Sequence, residues 1–340
     1  MNTLIWRTGA FGDGLVVTPL VRHLHSKGDK IFYVGGERGE QIFKNNPHIY
    51  KMLPHDKNVK NELLGKHIEW LRKKHNCDRV IDLNESIEVS LSQHPRSPNY
   101  KLPKQERIAR FNRNFYEYCF EHAKEDWTWP LTEPESYRRE CIAKFLRPEL
   151  FFDNKELNDA RKHLKPGYNV LIGLSGSGTN KTYPWMMDLC NKIMDDYPDA
   201  HIITVGDLKC QILEDAIDDK NVTKLSGKIT MRMSMALTSI VDLVISPDTG
   251  LLHASGCFDT PKIGLLGHNT IECITKYFIN DFSIESNEKL APCSPCLYLI
   301  YDMKQQCPLN PITRSSVCMA DGIPLDKVYT KFKEVYNARS

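Results

Sequence analysis

Short runs of apolar residues, each followed by a turn of glycine or small polar residues, recur in both halves of the chain. Such runs are typical of parallel strands covered on both faces, because they do not alternate with polar residues. Helical stretches lie between them. The pattern predicts an α/β protein of two doubly wound domains facing a cleft, with ligands at the carboxyl ends of the strands. The predicted strands are 2–6, 31–34 and 79–83 in the first half and 169–174, 201–205, 241–245 and 262–267 in the second.

The chain has 340 residues, which is enough for two domains of ordinary size. Proline and charged residues cluster at 130–148, and Lys165-Pro166-Gly167 is a turn signal. We therefore expect a first domain at 1–160, a second at 161–325 and a closing helix at 326–340.

Composition excludes several classes of protein. The net charge of +2 lacks the basic excess of a duplex binder. No run of about 20 apolar residues is present, so no spanning helix is expected. The start of the chain does not have the pattern of a secretory signal. These features favour a cytoplasmic protein, in which most of the eleven cysteines are small buried hydrophobes.

The turn Ser246-Pro247-Asp248-Thr249-Gly250 lies between a predicted strand and a predicted helix. Asp248 or Thr249 can cap the helix, and Gly250 lets the backbone approach a ligand closely. The amides of Thr249 and Gly250 then form an anion site. An ordinary capped turn without a ligand is the alternative.

A second glycine-rich turn, 9–14, follows the first strand. It lacks the spacing of the dinucleotide fingerprint. Instead it places Asp13 at the mouth of the cleft, where a carboxylate can act as a general base. The glycines Gly12 and Gly14 permit a ligand to approach. The alternative is that Asp13 only caps the next helix.

The loop that begins at Ser175 follows another strand and does not have the order of a Walker loop. It offers hydroxyl groups at Ser175 and Thr179, backbone amides and the ammonium group of Lys181. These groups suit a diphosphate. A solvated flexible loop is the alternative.

Taken together, these motifs resemble glycosyltransferase family 9, the ADP-heptose:lipopolysaccharide heptosyltransferases, which have the GT-B fold of two Rossmann-like domains. The resemblance extends over nearly the whole chain and is weak at 51–148, where the family shapes its acceptor site. The family's Lys-x-Trp-Pro loop is altered here to Lys181-Thr182-Tyr183-Pro184. The matching segments are 5–13 with Thr18-Pro19-Leu20, Asp248-Thr249-Gly250-Leu251-Leu252-His253, and Thr260-Pro261.

The resemblance implies roles for single residues. Asp13 would deprotonate an acceptor hydroxyl, which attacks the anomeric carbon opposite the departing diphosphate and inverts it. Lys181 and the amides of Thr249 and Gly250 would stabilise the leaving group. Asp248 would orient the turn or contact the sugar. His253 would contact a phosphate or pack in the helix. No metal is expected to be needed for transfer, because no Asp-x-Asp motif stands at a suitable position.

Arg107, Arg110 and Arg113 are predicted to share one face of a helix. That face could bind an anionic acceptor such as a phosphorylated saccharide. A solvated basic face is the alternative.

Cysteines cluster near the end of the chain, with Cys293 and Cys296 in a C-x2-C pair and Cys307 and Cys318 following at intervals. Four thiolates on one segment can bind a structural zinc or iron ion. The resemblance supports this, because some related protein heptosyltransferases bind iron through such cysteines. Reduced, packed cysteines without metal are the alternative.

The functional hypothesis is an inverting glycosyltransferase that uses a nucleotide-diphosphate sugar, first of all ADP-heptose, with a lipopolysaccharide core sugar as acceptor. An acceptor on protein or modified nucleic acid, and a non-catalytic nucleotide-sugar-binding protein, are the alternatives. Peripheral membrane contact is compatible with the sequence, and the oligomeric state is left open.

Overall fold

The computed structural model describes residues 1–55, 59, 63–84, 101–126, 135–217, 221–298 and 307–339. Two parallel sheets dominate it. The first has the order β3-β2-β1-β4 and the second β10-β9-β8-β5-β6-β7. The strands are β1 (Asn2–Trp6), β2 (Lys30–Val34), β3 (Ile49–Met52), β4 (Arg79–Asp82), β5 (Tyr168–Gly173), β6 (Ala200–Val205), β7 (Val222–Lys224), β8 (Leu243–Pro247), β9 (Lys262–Leu266) and β10 (Ile284–Glu285).

Every named strand pair is parallel, as expected for sheets whose strands are connected through helices. The predicted α/β class with two doubly wound sheets is thereby confirmed. The helices are α1 (Phe11–Ser26), α2 (Gly36–Phe43), α3 (Leu64–Lys74), α4 (Lys104–Phe111), α5 (Phe115–His122), α6 (Glu135–Leu146), α7 (Asn154–Arg161), α8 (Met186–Asp196), α9 (Gln211–Glu214), α10 (Met231–Leu237), α11 (Gly250–Ser255), α12 (Val317–Ala320) and α13 (Leu325–Asn337).

Helix α1 is the main contact between the two halves. Its apolar residues, including Leu15 and Leu20, belong to one buried cluster together with Leu252 and Ala254 of α11 and Cys273. The interior is thus continuous from the first half into the second. Burial of this apolar surface holds the amino end of α1 against α11.

Helix α7 packs with the second half. Its residue Ala160 is fully buried in a cluster with Leu171 of β5 and Val244 of β8. The limits of the domains, 1–160 and 161–325, stay a prediction. The packing of α7 places a segment that precedes the expected limit against the second sheet.

Two local expectations were wrong. Helix α1 begins at Phe11, within the segment expected to be a glycine-rich turn, because the carboxylate of Asp13 accepts a hydrogen bond from the amide of Ala10 and closes the first turn. Helix α4 ends at Phe111, so Arg113 lies outside it. Asn114 caps the next helix, accepting hydrogen bonds from the amides of Tyr116 and Glu117. In the part of the chain that the structure describes, no helix is long and apolar enough to span a bilayer.

Candidate functional site

A cavity of about 880 Å³ lies where the carboxyl ends of strands from both sheets meet. It brings together eight of the residues that the sequence singled out. Gly14 is not among its described lining residues. A Cβ atom there would come within 2.5 Å of Ile42, so Gly14 serves the packing of α1 on α2. The predicted residues that line the cavity are Gly12, Asp13, Ser175, Lys181, Asp248, Thr249, Gly250 and His253.

Asp13 is held in place by two partners from its own half. The guanidinium group of Arg7 lies 3.0 Å from one carboxylate oxygen, and the amide of Ala10 donates to the other at 2.6 Å. Arg7 is itself anchored, because it donates to the carbonyl of Leu83 after β4. Asp13 therefore both caps α1 and presents its carboxylate to the cavity. The two interpretations of Asp13 from the sequence, as a general base and as a helix cap, do not exclude each other.

The two turns touch each other across the halves. A Cβ atom on Gly12 would lie 2.9 Å from the ring of His253, and one on Gly250 would lie 2.8 Å from the Cβ atom of Phe11. Glycine is required at both positions for this close approach. The proposed base and the proposed anion site are consequently neighbours.

Lys181 and Asp248 form a buried ion pair in the wall of the cavity. The ammonium nitrogen lies 3.1 Å from Asp248 Oδ2. Burial alone would raise the pKa of Asp248, but the charge of Lys181 and the contact with His253 hold it well below its usual range. Asp248 therefore remains ionised and fixes the lysine at the end of the loop that begins at Ser175.

Thr249, rather than Asp248, caps α11, because its hydroxyl group accepts a hydrogen bond from the amide of Leu251. The hydroxyl groups of Thr249 and Ser246 are 2.9 Å apart. On the neighbouring loop, the hydroxyl groups of Ser175 and Thr182 are also 2.9 Å apart. Each of the two loops thus has a pair of hydroxyl groups in contact with each other. Thr179 begins the short turn Thr179–Lys181 that carries this lysine.

His253 is a buried residue between two polar partners. Its Nε2 lies 3.5 Å from Asp248 Oδ1, and its Nδ1 lies 3.3 Å from the hydroxyl group of Tyr116. The ring of His253 is packed in the helix and also lines the cavity, so packing and contact with a bound phosphate do not exclude each other.

His268 and Asn269, which follow β9, complete this network and were not singled out from the sequence. The side-chain amide of Asn269 donates to Asp248 at 2.8 Å and lies 3.2 Å from His268 Nε2. Burial, and then the charge of Lys181, lower the pKa of His268 to about 3. A neutral imidazole has one nitrogen that accepts a hydrogen bond and one that donates. Nε2 of His268 can be the acceptor, because the Asn269 amide lies next to it.

Three further parts of the cavity wall were not predicted from the sequence. Arg38 of α2 lies near the first turn, where it donates to the carbonyl of Gly9. Phe115 enters from the start of α5. On the side of the second sheet the wall includes Val205, Gly206, Asp207, Lys209, Ile212, Ile229 and Met231. Position at the carboxyl end of β6 was the one available signal for Gly206 and Asp207.

The three arginines do not share one face. Arg107 is buried, donates to the carbonyls of Leu102 and Cys296, and lies 4.0 Å over the ring of Tyr298. Arg110 pairs with Glu106 and Arg113 with Glu121. Arg107 thus binds the cysteine segment, because the carbonyl groups of a distant loop reach it. An acceptor role for Arg110 and Arg113 stays a prediction.

The four clustered cysteines lie near one another. Burial raises the pKa of Cys318, and the neighbouring thiols of Cys296, Cys307 and Cys293 raise it further. Burial likewise raises the pKa of Cys296 to about 12 and that of Cys307 to about 11. In the described residues, however, no three histidine, cysteine or acidic side chains are grouped closely enough to hold a metal ion.

Lys104 of α4 anchors the same segment. Its ammonium group donates to Glu288 at 2.7 Å and to the carbonyls of Pro292 and Ser294 at 2.7 and 2.6 Å. Together with Arg107 it ties the cysteine segment to a helix from the first half of the chain.

Comparison with known proteins identifies the family. The model of glycosyltransferase family 9 (heptosyltransferase) matches residues 65–297. The chain belongs to glycosyltransferase family 9. It is a heptosyltransferase-like glycosyltransferase, and the alternative of a non-catalytic binding protein is set aside. A curated relative, lipopolysaccharide heptosyltransferase 1 of Campylobacter coli, is 25% identical over 297 residues, which are 78% of this chain and 84% of the relative.

Solved structures agree with this fold. The family 9 glycosyltransferase of Veillonella parvula DSM 2008 has a TM-score of 0.69 at 12% identity, covering 99% of this chain and 97% of that one. The dodecameric iron-containing heptosyltransferase TibC of enterotoxigenic E. coli H10407, in complex with ADP-D-β-D-heptose, has a TM-score of 0.63 at 10% identity and covers 100% of this chain and 77% of that one. The predicted GT-B architecture is confirmed.

Proposed function

We propose that this glycosyltransferase transfers a heptose from ADP-heptose to a hydroxyl group of a lipopolysaccharide core saccharide, with inversion. One observation supports this most. The cavity holds a carboxylate from the first half, Asp13, beside a lysine and two backbone turns from the second half. A base on one side and an anion site on the other are what an inverting transfer needs.

Asp13 would accept the proton of the attacking hydroxyl group. Lys181 and the amides of Thr249 and Gly250 would stabilise the charge that develops on the departing diphosphate. Asp248 would orient Lys181, because the two are ion-paired at 3.1 Å. The apolar side chains of Ile212, Ile229 and Met231 offer a surface for the base of the nucleotide. No metal ion is required in these steps.

The test is transfer from ADP-heptose to purified lipopolysaccharide acceptors, followed by ADP release and mass spectrometry of the product. Asp13→Asn should lower turnover by about 100-fold or more, as expected for loss of a general base, and change ADP affinity by no more than a few-fold. Asp188→Asn, at an exposed position of α8, is the matched control. Loss of ADP binding in Asp13→Asn would show that Asp13 is structural. Transfer to a protein instead of the saccharide would reassign the acceptor.

We also propose that the enzyme acts in the cytoplasm. None of the eleven cysteines, all of which the structure describes, forms a disulfide bond, as in a reducing compartment. Fractionation of cells that produce the protein tests this directly.

The cysteine cluster is proposed to hold one zinc or iron ion. Four neighbouring thiols are of the donor type that binds such an ion, and the described thiols would have to draw closer together to coordinate it. Its contribution would be to hold residues 293–298 and 307–318 together, because metal binding couples to local folding. Elemental analysis should find about one metal ion per chain, lost in Cys293→Ser/Cys296→Ser and retained in Cys141→Ser. A metal-free, fully folded wild-type protein would exclude the site.

A further inference from the structure

Two exposed aromatic rings lie on the first half of the molecule, outside the cavity. Trp70 of α3 is 50% exposed and Tyr50 of the edge strand β3 is 60% exposed. Each ring has a lysine over it: Lys74 lies 4.4 Å from the centre of the Trp70 ring and Lys30 lies 5.1 Å from that of Tyr50. Such large rings are usually buried, so their exposure beside cations calls for an explanation.

The two rings belong to one surface. Phe32 packs against Tyr50 on one side and His75 on the other, with ring centres 5.2 and 5.7 Å apart. Besides burial, the charges of Lys51 and Lys74 lower the pKa of His75, so both lysines lie close to it. We use "basic aromatic surface" for the group of Lys30, Tyr50, Lys51, Lys66, Trp70 and Lys74.

The charge of this surface is local. Helix α3 has the sequence LGKHIEWLRKK, with four lysine and arginine residues and a single acidic residue. That residue, Glu69, already pairs with Arg72 and Lys73. The helix alone therefore has a larger positive excess than the whole chain, whose net charge is +2.

We infer that the basic aromatic surface is a docking site for an anionic lipid bilayer. Exposed Trp and Tyr rings bordered by lysines have the composition of a membrane interface, where the rings enter the headgroup region and the lysines meet anionic lipids. The opposite face of α3 is buried, with Ile68 and Leu71 in the core, so the face that carries Trp70 is the one available to a partner.

A bilayer fits this surface better than single-stranded nucleic acid does. Bases bind by stacking on free ring faces. Here one face of Trp70 carries Lys74 and the ring is also stacked with His67, with centres 5.7 Å apart. The exposed part of the ring suits insertion between headgroups.

The basic aromatic surface and the cavity lie at opposite ends of the strands of the first sheet. Lys30 is the first residue of β2 and Lys74 the last of α3, so the surface lies toward the amino ends of the strands. The cavity lies at their carboxyl ends. Membrane contact at this surface leaves the cavity uncovered. The biological purpose of membrane docking depends on the proposed lipopolysaccharide acceptor, whereas the docking itself does not.

The test is flotation of the full chain with vesicles of phosphatidylglycerol and phosphatidylethanolamine, without donor or acceptor, so that its failure leaves the transferase proposal intact. Binding should be strong at low salt and absent with pure phosphatidylcholine. Lys66→Gln/Lys74→Gln should lower the partition coefficient by about 30-fold, roughly fivefold per lysine. The matched control, Lys155→Gln/Lys162→Gln, removes the same charge near α7 and should change it less than twofold.

Trp70 supplies a second readout. Lipids with a spin label near the headgroup should quench tryptophan fluorescence in the wild type, and less in Trp70→Phe, since the chain has five tryptophans. Circular dichroism and thermal unfolding confirm that each variant is folded. Equal binding of both lysine variants, equal binding to phosphatidylcholine, unchanged quenching in Trp70→Phe, or tighter binding to single-stranded RNA than to the vesicles would each overturn the inference.

Discussion

The ion pair between Lys181 and Asp248 lies in the wall of the cavity and is largely shielded from water, with exposed fractions of 15% and 6% for the two side chains. At the observed 3.1 Å, two unit charges attract each other by about 5 kcal/mol in a medium of effective dielectric constant 20. Removal of one partner leaves the other charge buried, which costs about 3–5 kcal/mol. We therefore expect Asp248→Asn to lower the free energy of unfolding by this amount.

The same substitution should have the opposite effect on nucleotide binding. Once its carboxylate partner is neutral, Lys181 carries an unbalanced charge that a diphosphate can neutralise. Asp248→Asn should therefore bind ADP more tightly than the wild type, and ADP should restore much of its lost thermal stability. Lys181→Met should lose ADP affinity. The double variant should be more stable than the sum of the single effects predicts, by about 1–3 kcal/mol.

Urea unfolding followed by circular dichroism measures the stabilities, and calorimetric titration measures ADP affinity. Asp159→Asn is the matched control, because it removes the same kind of charge from an exposed pair with Lys162 and should lower stability much less than Asp248→Asn does. Additive effects of the two single substitutions, or weaker ADP binding by Asp248→Asn, would refute the assignment of Lys181 to a diphosphate site shielded by Asp248.

Three further outcomes are expected. Gly12→Ala should lower turnover without changing ADP affinity, because its Cβ atom would meet the His253 ring at 2.9 Å. The control Gly65→Ala, in open space on α3, should be neutral or slightly stabilising, and equal activity of the two variants would contradict the prediction. Lys104→Ala should speed hydrogen exchange of the amides at 292–298, which lose their anchor, and unchanged exchange would show that the lysine does not hold them. Because the His268 pKa is about 3 in the folded protein, the unfolded chain binds a proton more readily below pH 6.5. Stability should therefore decrease as the pH is lowered from 6.5, by up to about 1.4 kcal/mol per pH unit. Urea unfolding at pH 7 and pH 5 should show a smaller decrease in His268→Gln than in the wild type.

The sequence predicted the central strands well, because each is a continuous apolar run. Strand β5 is buried at all six positions and lies within one residue of its predicted place. The edge strands β3, β7 and β10 were not predicted. Strand β3 has the exposed residues Tyr50 and Lys51, and short, half-polar segments of this kind carry no signal that separates them from loops.

Site residues that belong to a motif after a strand were predicted. Site residues that stand alone after a strand were not. The turn that contains Asp13 has three glycines and the turn that contains Asp248 ends in Gly250, and each turn directly follows an apolar strand. His268 and Asn269 are single polar residues whose importance depends on Asp248, 20 residues or more away along the chain. Arg107 was assigned to the acceptor because helical spacing shows which residues share a face but not what that face contacts.

The two halves contribute different parts of the chemistry, and their relative position decides whether those parts can act together. The position of Asp13 is set by Arg7, which is anchored to the end of β4 in the first sheet. The position of Lys181 is set by Asp248, at the end of β8 in the second. The two units meet through Gly12 and His253, so a displacement at this contact separates base and anion site without altering either. Activity should consequently be more sensitive to substitutions at the contact than nucleotide affinity, since the groups proposed to bind the diphosphate all belong to the second half.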